Sequence, residues 1–179
     1  MRNLEGDYKL NGFYLLGGKK GFQEGSLYFF PDGKAIGTVV DSNGSNDFGP
    51  KGPTPKKVLL GYLSPENELH LLKIPGVNQP VQDVIWALNG EKDSSKQLFK
   101  GGYDLCGMCG TRHAISIVPG LEKILRAENI PEQESLRKLM SGVESDVLTQ
   151  RIFTKDIYDR ILIEAVSSGQ SGEIVLYKI

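Results

Sequence analysis

Residues 25–41 read Gly-Ser-Leu-Tyr-Phe-Phe-Pro-Asp-Gly-Lys-Ala-Ile-Gly-Thr-Val-Val-Asp, and this stretch predicts a β-hairpin. Two runs rich in aromatic and β-branched residues flank Pro31-Asp32-Gly33, in which proline presets φ for a type I turn and glycine can take the left-handed position that closes a bulged hairpin. Phe30 then faces Lys34. The absent side chain at Gly37 indicates a strand that bends sharply or lies close to another segment. Alternation defines the better core face as Leu27, Phe29, Ala35, Gly37 and Val39, and the opposite face as Tyr28, Lys34, Ile36 and Thr38.

The hairpin pattern recurs along the chain, with apolar flanks around turn residues. At Asn11-Gly12 the first predicted strand is either broken by a bulge or folded into two short strands. After Pro119 the apolar spacing becomes helical and predicts short helices at 120–128 and 131–141, with a further helical turn or two near 147–152. The other predicted strands are 6–16, 56–63, 68–74, 81–88, 96–103, 111–118, 157–166 and 173–179, and residues 17–21 are a predicted turn.

Consecutive hairpins form an antiparallel meander, which would leave two exposed sheet edges unless it closed on itself. We therefore predict a mainly β protein, an antiparallel meander barrel of about eight to ten strands. A short helical insertion, at about residues 120–150, precedes the last two predicted strands. The 179 residues are enough for one well-buried core, so residues 1–179 are predicted to form a single domain.

The order of these elements resembles that of the calycin superfamily, the lipocalin-like meander β-barrels. The resemblance lies in Gly6-Asp7-Tyr8 near the first strand, where Tyr8 stands at the position of the family's tryptophan, in the repeated hairpins, and in a late helix followed by a closing strand. It implies that a small apolar ligand binds inside the barrel or, as in a few enzymes of the superfamily, that chemistry is carried out on such a ligand.

The chain carries 21 basic and 22 acidic side chains, so its net charge is close to zero. No overall field therefore attracts it to nucleic acid or to an anionic membrane. No apolar run approaches the ~20 residues of a membrane helix, and the N-terminal residues lack the apolar stretch of a signal peptide. These features predict a soluble, cytoplasmic protein that binds neither nucleic acid nor membrane.

The most specific local motif is Cys-x-x-Cys-Gly at Cys106 and Cys109, between two predicted strands. Its glycines allow backbone amides to turn toward the sulfurs, as in a zinc knuckle, and His113 adds a third ligand. A structural zinc site needs four ligands, so the fourth would be His70, Asp104, water or the same knuckle of a second subunit in a homodimer. The alternatives are two unligated thiols in a glycine-rich turn and a redox or disulfide pair.

His113 also shares an apolar face with Ile115 and Ile117 in the predicted strand 111–118. It is either a hydrogen-bonded core histidine or, where that face lines the barrel, a ligand anchor or general base. No nucleophile elbow, Walker loop or Rossmann fingerprint is present in the sequence. The long segment 42–57, rich in glycine and proline, is either a lid or disordered.

The leading functional hypothesis is a barrel that binds a small apolar ligand, with the segment 42–57 near its mouth. The alternatives are a zinc-knuckle protein, a barrel enzyme that uses His113 as acid or base, and an interaction domain. The candidate ligand-lining residues are Leu27, Phe29, Val39, Trp86, His113, Ile115 and Ile117, and the candidate zinc ligands are Cys106, Cys109 and His113.

Overall fold

A computed structural model describes residues 5–16, 19–43, 56–66, 68–74, 84–92, 96–105, 114–127, 132–156, 159, 163 and 171–179, with only the backbone for the strands within 84–105. The strands are β1 (Gly6–Leu16), β2 (Lys19–Phe29), β3 (Lys34–Asn43), β4 (Lys57–Leu63), β5 (Glu68–Ile74), β6 (Val84–Lys92), β7 (Lys96–Leu105) and β8 (Ser171–Lys178). The helices are α1 (Leu121–Arg126), α2 (Gln133–Ser141) and α3 (Ser145–Arg151). None of the described helices has the length and apolar character needed to cross a membrane.

The strands form a closed barrel in which each strand pairs in antiparallel fashion with the next one along the chain. The last strand, β8, closes the barrel because it pairs with both β1 and β7, for example at Leu176 opposite Leu10 and at Ile174 opposite Phe99. Closure satisfies the backbone groups that an open meander would leave at its two edges. The predicted meander barrel is thus confirmed, with eight strands in the described part of the chain.

The hairpin of β2 and β3 has the predicted register. The amide of Phe30 donates to the carbonyl of Lys34 at 2.9 Å, and the amide of Gly33 donates to the carbonyl of Phe30 at 3.1 Å. Gly33 has a φ of +94°, the left-handed conformation that the turn requires. A Cβ atom at Gly37 would overlap the backbone oxygen of Ser26, so the predicted close approach of a neighbouring segment is confirmed.

Two predicted strands are wrong where the structure describes them. Within 111–118, residues 114–117 form a helical turn, and within 157–166 the two described residues, Asp159 and Ile163, are helical. In the described ranges one strand, β8, therefore follows the helices instead of two. Alternation over a short apolar run does not separate a strand from a helix, because both can present one apolar side.

The first strand is also simpler than predicted. β1 runs without a bulge or turn, since Asn11 pairs with Glu24 and Gly12 with Gln23 in unbroken register. A Cβ atom at Gly12 would lie 2.6 Å from the backbone oxygen of Glu173. The absence of a side chain at Gly12 therefore allows β8 to approach closely, and the chain does not reverse direction there. β2 begins at Lys19, inside the predicted turn 17–21.

The barrel interior is filled from the predicted core face of the hairpin and from the equivalent positions of neighbouring strands. Alternating residues along each strand point inward, as the pleat requires. The rings of Tyr8 and Phe29 meet edge to face, with 5.3 Å between their centroids. The buried interior cluster consists of Tyr8, Leu10, Leu27, Phe29, Ala35, Val39, Leu59, Leu63, Leu69, Leu71, Ile174 and Leu176.

A second apolar cluster lies outside the barrel, where the helical segment covers β3, β4 and β5. Ile36, Leu60 and Leu72 are fully buried on this outer face. Both faces of β4 and β5 are therefore buried, which explains why their sequences are nearly continuous apolar runs. The helical segment contributes Ala114, Ile117, Val118, Leu121, Leu125, Leu136, Met140, Val143, Leu148, Ile152 and Phe153.

Candidate functional site

Four polar side chains lie together toward one end of the barrel: Gln23 of β2, Asp41 of β3 and Lys73 of β5, which are buried, and Lys57 of β4, which is partly buried. We call them the charge cluster. Asp41 follows the interior residue Val39 by two positions, and the same alternation places the other three on the interior faces of their strands. The barrel thus has an apolar interior and one polar, charged end.

Both lysines of the charge cluster contact the same carboxylate oxygen. Oδ2 of Asp41 accepts hydrogen bonds from Nζ of Lys57 at 2.7 Å and from Nζ of Lys73 at 2.9 Å. Oδ1 of Asp41 accepts a longer hydrogen bond, 3.3 Å, from Nε2 of Gln23. The side chains of Asp41 and Lys73 are 7% and 8% exposed, and that of Lys57 is 19% exposed. Salt in the solvent therefore screens these ion pairs only weakly.

The pKa values of the cluster reflect a balance between burial and charge. Burial alone would raise the pKa of Asp41, but the charges and hydrogen bonds of Lys73 and Lys57 outweigh it and hold this pKa below its ordinary value. Burial lowers the pKa of Lys73, and the charge of Lys57 lowers it further, whereas Asp41 acts in the opposite direction. Lys57 therefore disfavours the charge of Lys73, and the carboxylate of Asp41 favours it.

Positive charge exceeds negative charge by one among the four described residues of the cluster. Buried charge is unfavourable unless it is compensated, because water no longer solvates it. A carboxylate or phosphate placed near the two ammonium groups would accept charge-assisted hydrogen bonds from them. The arrangement is therefore suited to recognition of an anion.

A small cavity of about 10 Å³ adjoins the charge cluster, with Gln23 as its polar wall. It has room for about one water molecule. Its other walls are Leu10, Val39, Leu59, Leu71 and Ile174, which therefore fill the interior at this level. Lys57 is the first residue of β4 and Lys73 the next-to-last residue of β5, so both lie at the same end of this hairpin.

No family model, curated protein or solved structure matches this chain. The similarity to lipocalin-like barrels stays a prediction.

Three of the predicted ligand-lining residues lie in the barrel interior. Leu27, Phe29 and Val39 are buried in the interior cluster, and Val39 also lines the small cavity. Trp86 lies on β6, where its backbone pairs with that of Leu71. That these side chains line a ligand site stays a prediction.

The prediction that Ile115 and Ile117 line the barrel is wrong. They belong to the helical turn at residues 114–117 and pack in the apolar cluster outside the barrel, where Ile117 is buried and Ile115 is partly buried. They do not line the interior. His113 lies outside the described residues, so its predicted roles as ligand anchor, as acid or base, and as zinc ligand stay predictions.

Cys106 and Cys109 also lie outside the described residues, and the zinc knuckle stays a prediction. Within the described ranges, no three side chains of histidine, cysteine, aspartate or glutamate are grouped so that they could hold a metal ion. His70, a predicted fourth ligand, lies beside Phe153 on the outside of the barrel. The predicted lid falls largely on residues 44–55, outside the described part of the chain.

The charge cluster was not predicted, although its members carry a local signal. Lys73 follows Leu69 and Leu71 at alternate positions of β5, so a charged residue occupies a position where the pattern calls for an apolar one. Asp41 does the same at the end of β3. Such an interruption marks a buried polar position, but the partner it meets depends on strand register.

Proposed function

We propose that the protein binds a small molecule through an anionic group, which docks on Lys57 and Lys73 at the polar end of the barrel. The observation that carries this proposal is the convergence of two ammonium groups on one buried carboxylate oxygen, at 2.7 and 2.9 Å. An anionic group placed there would accept charge-assisted hydrogen bonds from the two ammonium groups. The proposal narrows the sequence-based hypothesis of an apolar ligand, because it adds a charged group at a defined place.

Lys57 supports the same proposal through its position. It is the first residue of β4, and its side chain is more exposed than those of Asp41 and Lys73. An incoming anion would therefore meet Lys57 first and then approach Lys73. Charge-assisted hydrogen bonds contribute about 1.5–3 kcal/mol each, which corresponds to roughly tenfold to a hundredfold in affinity.

Octanoate, octanol and acetate form a matched set of probes for this proposal, measured by isothermal titration calorimetry. Octanoate and octanol share the apolar chain and differ in charge, whereas acetate carries the charge without the chain. We expect octanoate to bind at least about tenfold more tightly than octanol, because only octanoate can pair with the lysines. Equal affinities for octanoate and octanol would contradict the proposal.

Two variants of the cluster should change octanoate affinity in opposite directions. Lys73→Met removes one of the two ammonium groups and should remove most of the preference for octanoate. Asp41→Asn removes the carboxylate that competes with the ligand for both lysines. This variant should therefore bind octanoate more strongly, and the stability of its fold should depend on the anion. Lys9→Met is the control, because the Lys9 side chain is 55% exposed and pairs with Glu24 instead. Effects of equal sign in the two variants would count against the proposal.

A further inference from the structure

A groove of about 480 Å³ lies outside the barrel and does not include the charge cluster. One side is the β4–β5 hairpin, which contributes Tyr62 and His70 together with the turn between the strands. The other side is the end of α3 and the residues that follow it, which include Phe153 in the link after the helix. This volume is sufficient for a small organic molecule.

Three rings form the inner wall of the groove. The rings of His70 and Phe153 meet edge to face, with 5.9 Å between their centroids, and Tyr62 lies opposite His70 in the β4–β5 ladder. Burial lowers the pKa of His70 to about 4, so this imidazole is neutral at neutral pH. The 3.8 Å contact of its Nε2 with Glu68 is then not an ion pair. Neutral aromatic faces attract cations rather than anions.

The rim of the groove is acidic. Among the described lining residues, Glu66, Glu68 and Asp159 are negatively charged, and Lys155 carries the positive charge. Nζ of Lys155 lies 2.8 Å from Oδ2 of Asp159, so these two charges largely cancel. Glu66 and Glu68 remain at the rim on the side of the hairpin, where the groove is therefore negative.

The pKa of Tyr62 is shifted in the direction that nearby negative charge would produce. Burial raises the pKa of its hydroxyl, and the negative charges of Glu66, Asp32 and Asp146 raise it further. The three carboxylates come from two turns and from the first turn of α3. Glu66, the largest of the three charge effects, also lines the groove, whereas Asp32 is paired with Lys34 at 3.5 Å.

From this combination we infer that the groove binds a small organic cation, of the quaternary or methylated amine class, with its charged group against the rings of Tyr62 and Phe153 and near Glu66 and Glu68. Such a cation is weakly hydrated, so it loses little when it leaves water, and it gains from ring faces and carboxylates together. A divalent metal ion fits less well, since no three metal-ligating side chains are grouped in the described ranges. This inference is independent of the anion site in the barrel.

Choline and dimethylbutanol, the uncharged alcohol in which carbon replaces the nitrogen, are the probes that test this inference. Binding is followed by amide chemical shifts in two-dimensional NMR, because both affinity and location are then measured. We expect saturable shifts in the β4–β5 hairpin and α3, and choline affinity at least about tenfold above that of dimethylbutanol. Equal shifts with both probes, or tighter binding of Mg²⁺ than of choline, would overturn the inference.

Variants separate the roles of charge and rings. The double variant Glu66→Gln/Glu68→Gln should weaken choline binding about tenfold, whereas the control Glu122→Gln/Glu134→Gln removes the same charge from exposed positions of α1 and α2 and should leave it unchanged. Tyr62→Phe keeps the ring and should retain binding, and Tyr62→Leu should lose it. Unchanged choline affinity in the Glu66→Gln/Glu68→Gln variant, or in Tyr62→Leu, would refute the proposed cation site.

Discussion

His70 shows how a single residue can couple the fold to pH. Its side chain lies on the outer face of β5, 7% of its surface is exposed, and its ring packs against Phe153. Burial lowers its pKa from 6.5 to about 4 because the charged imidazolium would lose its hydration. Between these two values the unfolded chain binds a proton that the folded chain does not.

We therefore predict that stability falls as the pH decreases from 6.5 toward 4, by about 3 kcal/mol from this residue. The contribution is complete above pH 6.5, since His70 is then neutral in both states. Replacement of His70 by Gln should flatten this part of the pH profile, measured by urea unfolding at several pH values. His113→Gln is the control and should leave the His70 contribution in place. An unchanged profile in His70→Gln would show that another group is responsible.

At the scale of elements, α2 is held on the barrel by polar contacts as well as by its apolar face. Nζ of Lys34, on β3, donates to the backbone oxygens of Val143 at 2.6 Å and of Met140 at 3.3 Å. Carbonyl groups at the end of a helix lack partners within the helix, and a positive charge there also interacts favourably with the helix dipole. Arg137 of α2 makes two hydrogen bonds, at 2.9 and 3.1 Å, to Asp7 of β1.

Lys34→Met should destabilise the protein by about 2 kcal/mol, because it leaves buried carbonyl groups without their charged donor. The loss should be concentrated in α2, where hydrogen exchange would become faster. Lys138→Met is a matched control, because it removes an exposed lysine from the last turn of α2 itself. If both variants had the same exchange rates, Lys34 would not be the contact that fastens the helix.

At the scale of the whole molecule, β8 joins the two ends of the meander. It pairs with β1 along residues 171–178 and with β7 along residues 172–177. Its residues alternate between the interior, where Leu176 is fully buried, and the outside, where Tyr177 is 43% exposed. Barrel closure thus depends on one strand that is distant in sequence from β1.

Leu176→Ala should cost about 2–5 kcal/mol, through lost apolar burial and the cavity that remains. Tyr177→Ala, on the opposite face of the same strand, should change stability by much less. Thermal unfolding of both variants measures the difference, and faster hydrogen exchange in β1 and β7 would identify the loss of closure. Equal effects at the two positions would mean that β8 is not anchored through the interior.

Much of the fold could be predicted because its determinants are local. The hairpin and its register are specified by the turn residues Pro31, Asp32 and Gly33 and by the alternation around them. A series of such hairpins would have two exposed sheet edges, and closure into a barrel removes them. The helical turn at residues 114–117 carried a usable signal as well. Ala114, Ile117, Val118 and Leu121 are spaced as on one helix face, and alternation competed with that spacing.

The amino-acid sequence by itself determined the strands of the barrel, the turn at residues 31–33 and much of the apolar interior, because alternation and turn chemistry act between near neighbours. Only the tertiary structure decided that the helices cover the outer face of β3 to β5. It also brought Asp41 to Lys57 and Lys73, which are 16 and 32 residues further along the chain. Alternation divides a strand into two faces, but the register across four strands and the packing of a distant segment determine what each face meets.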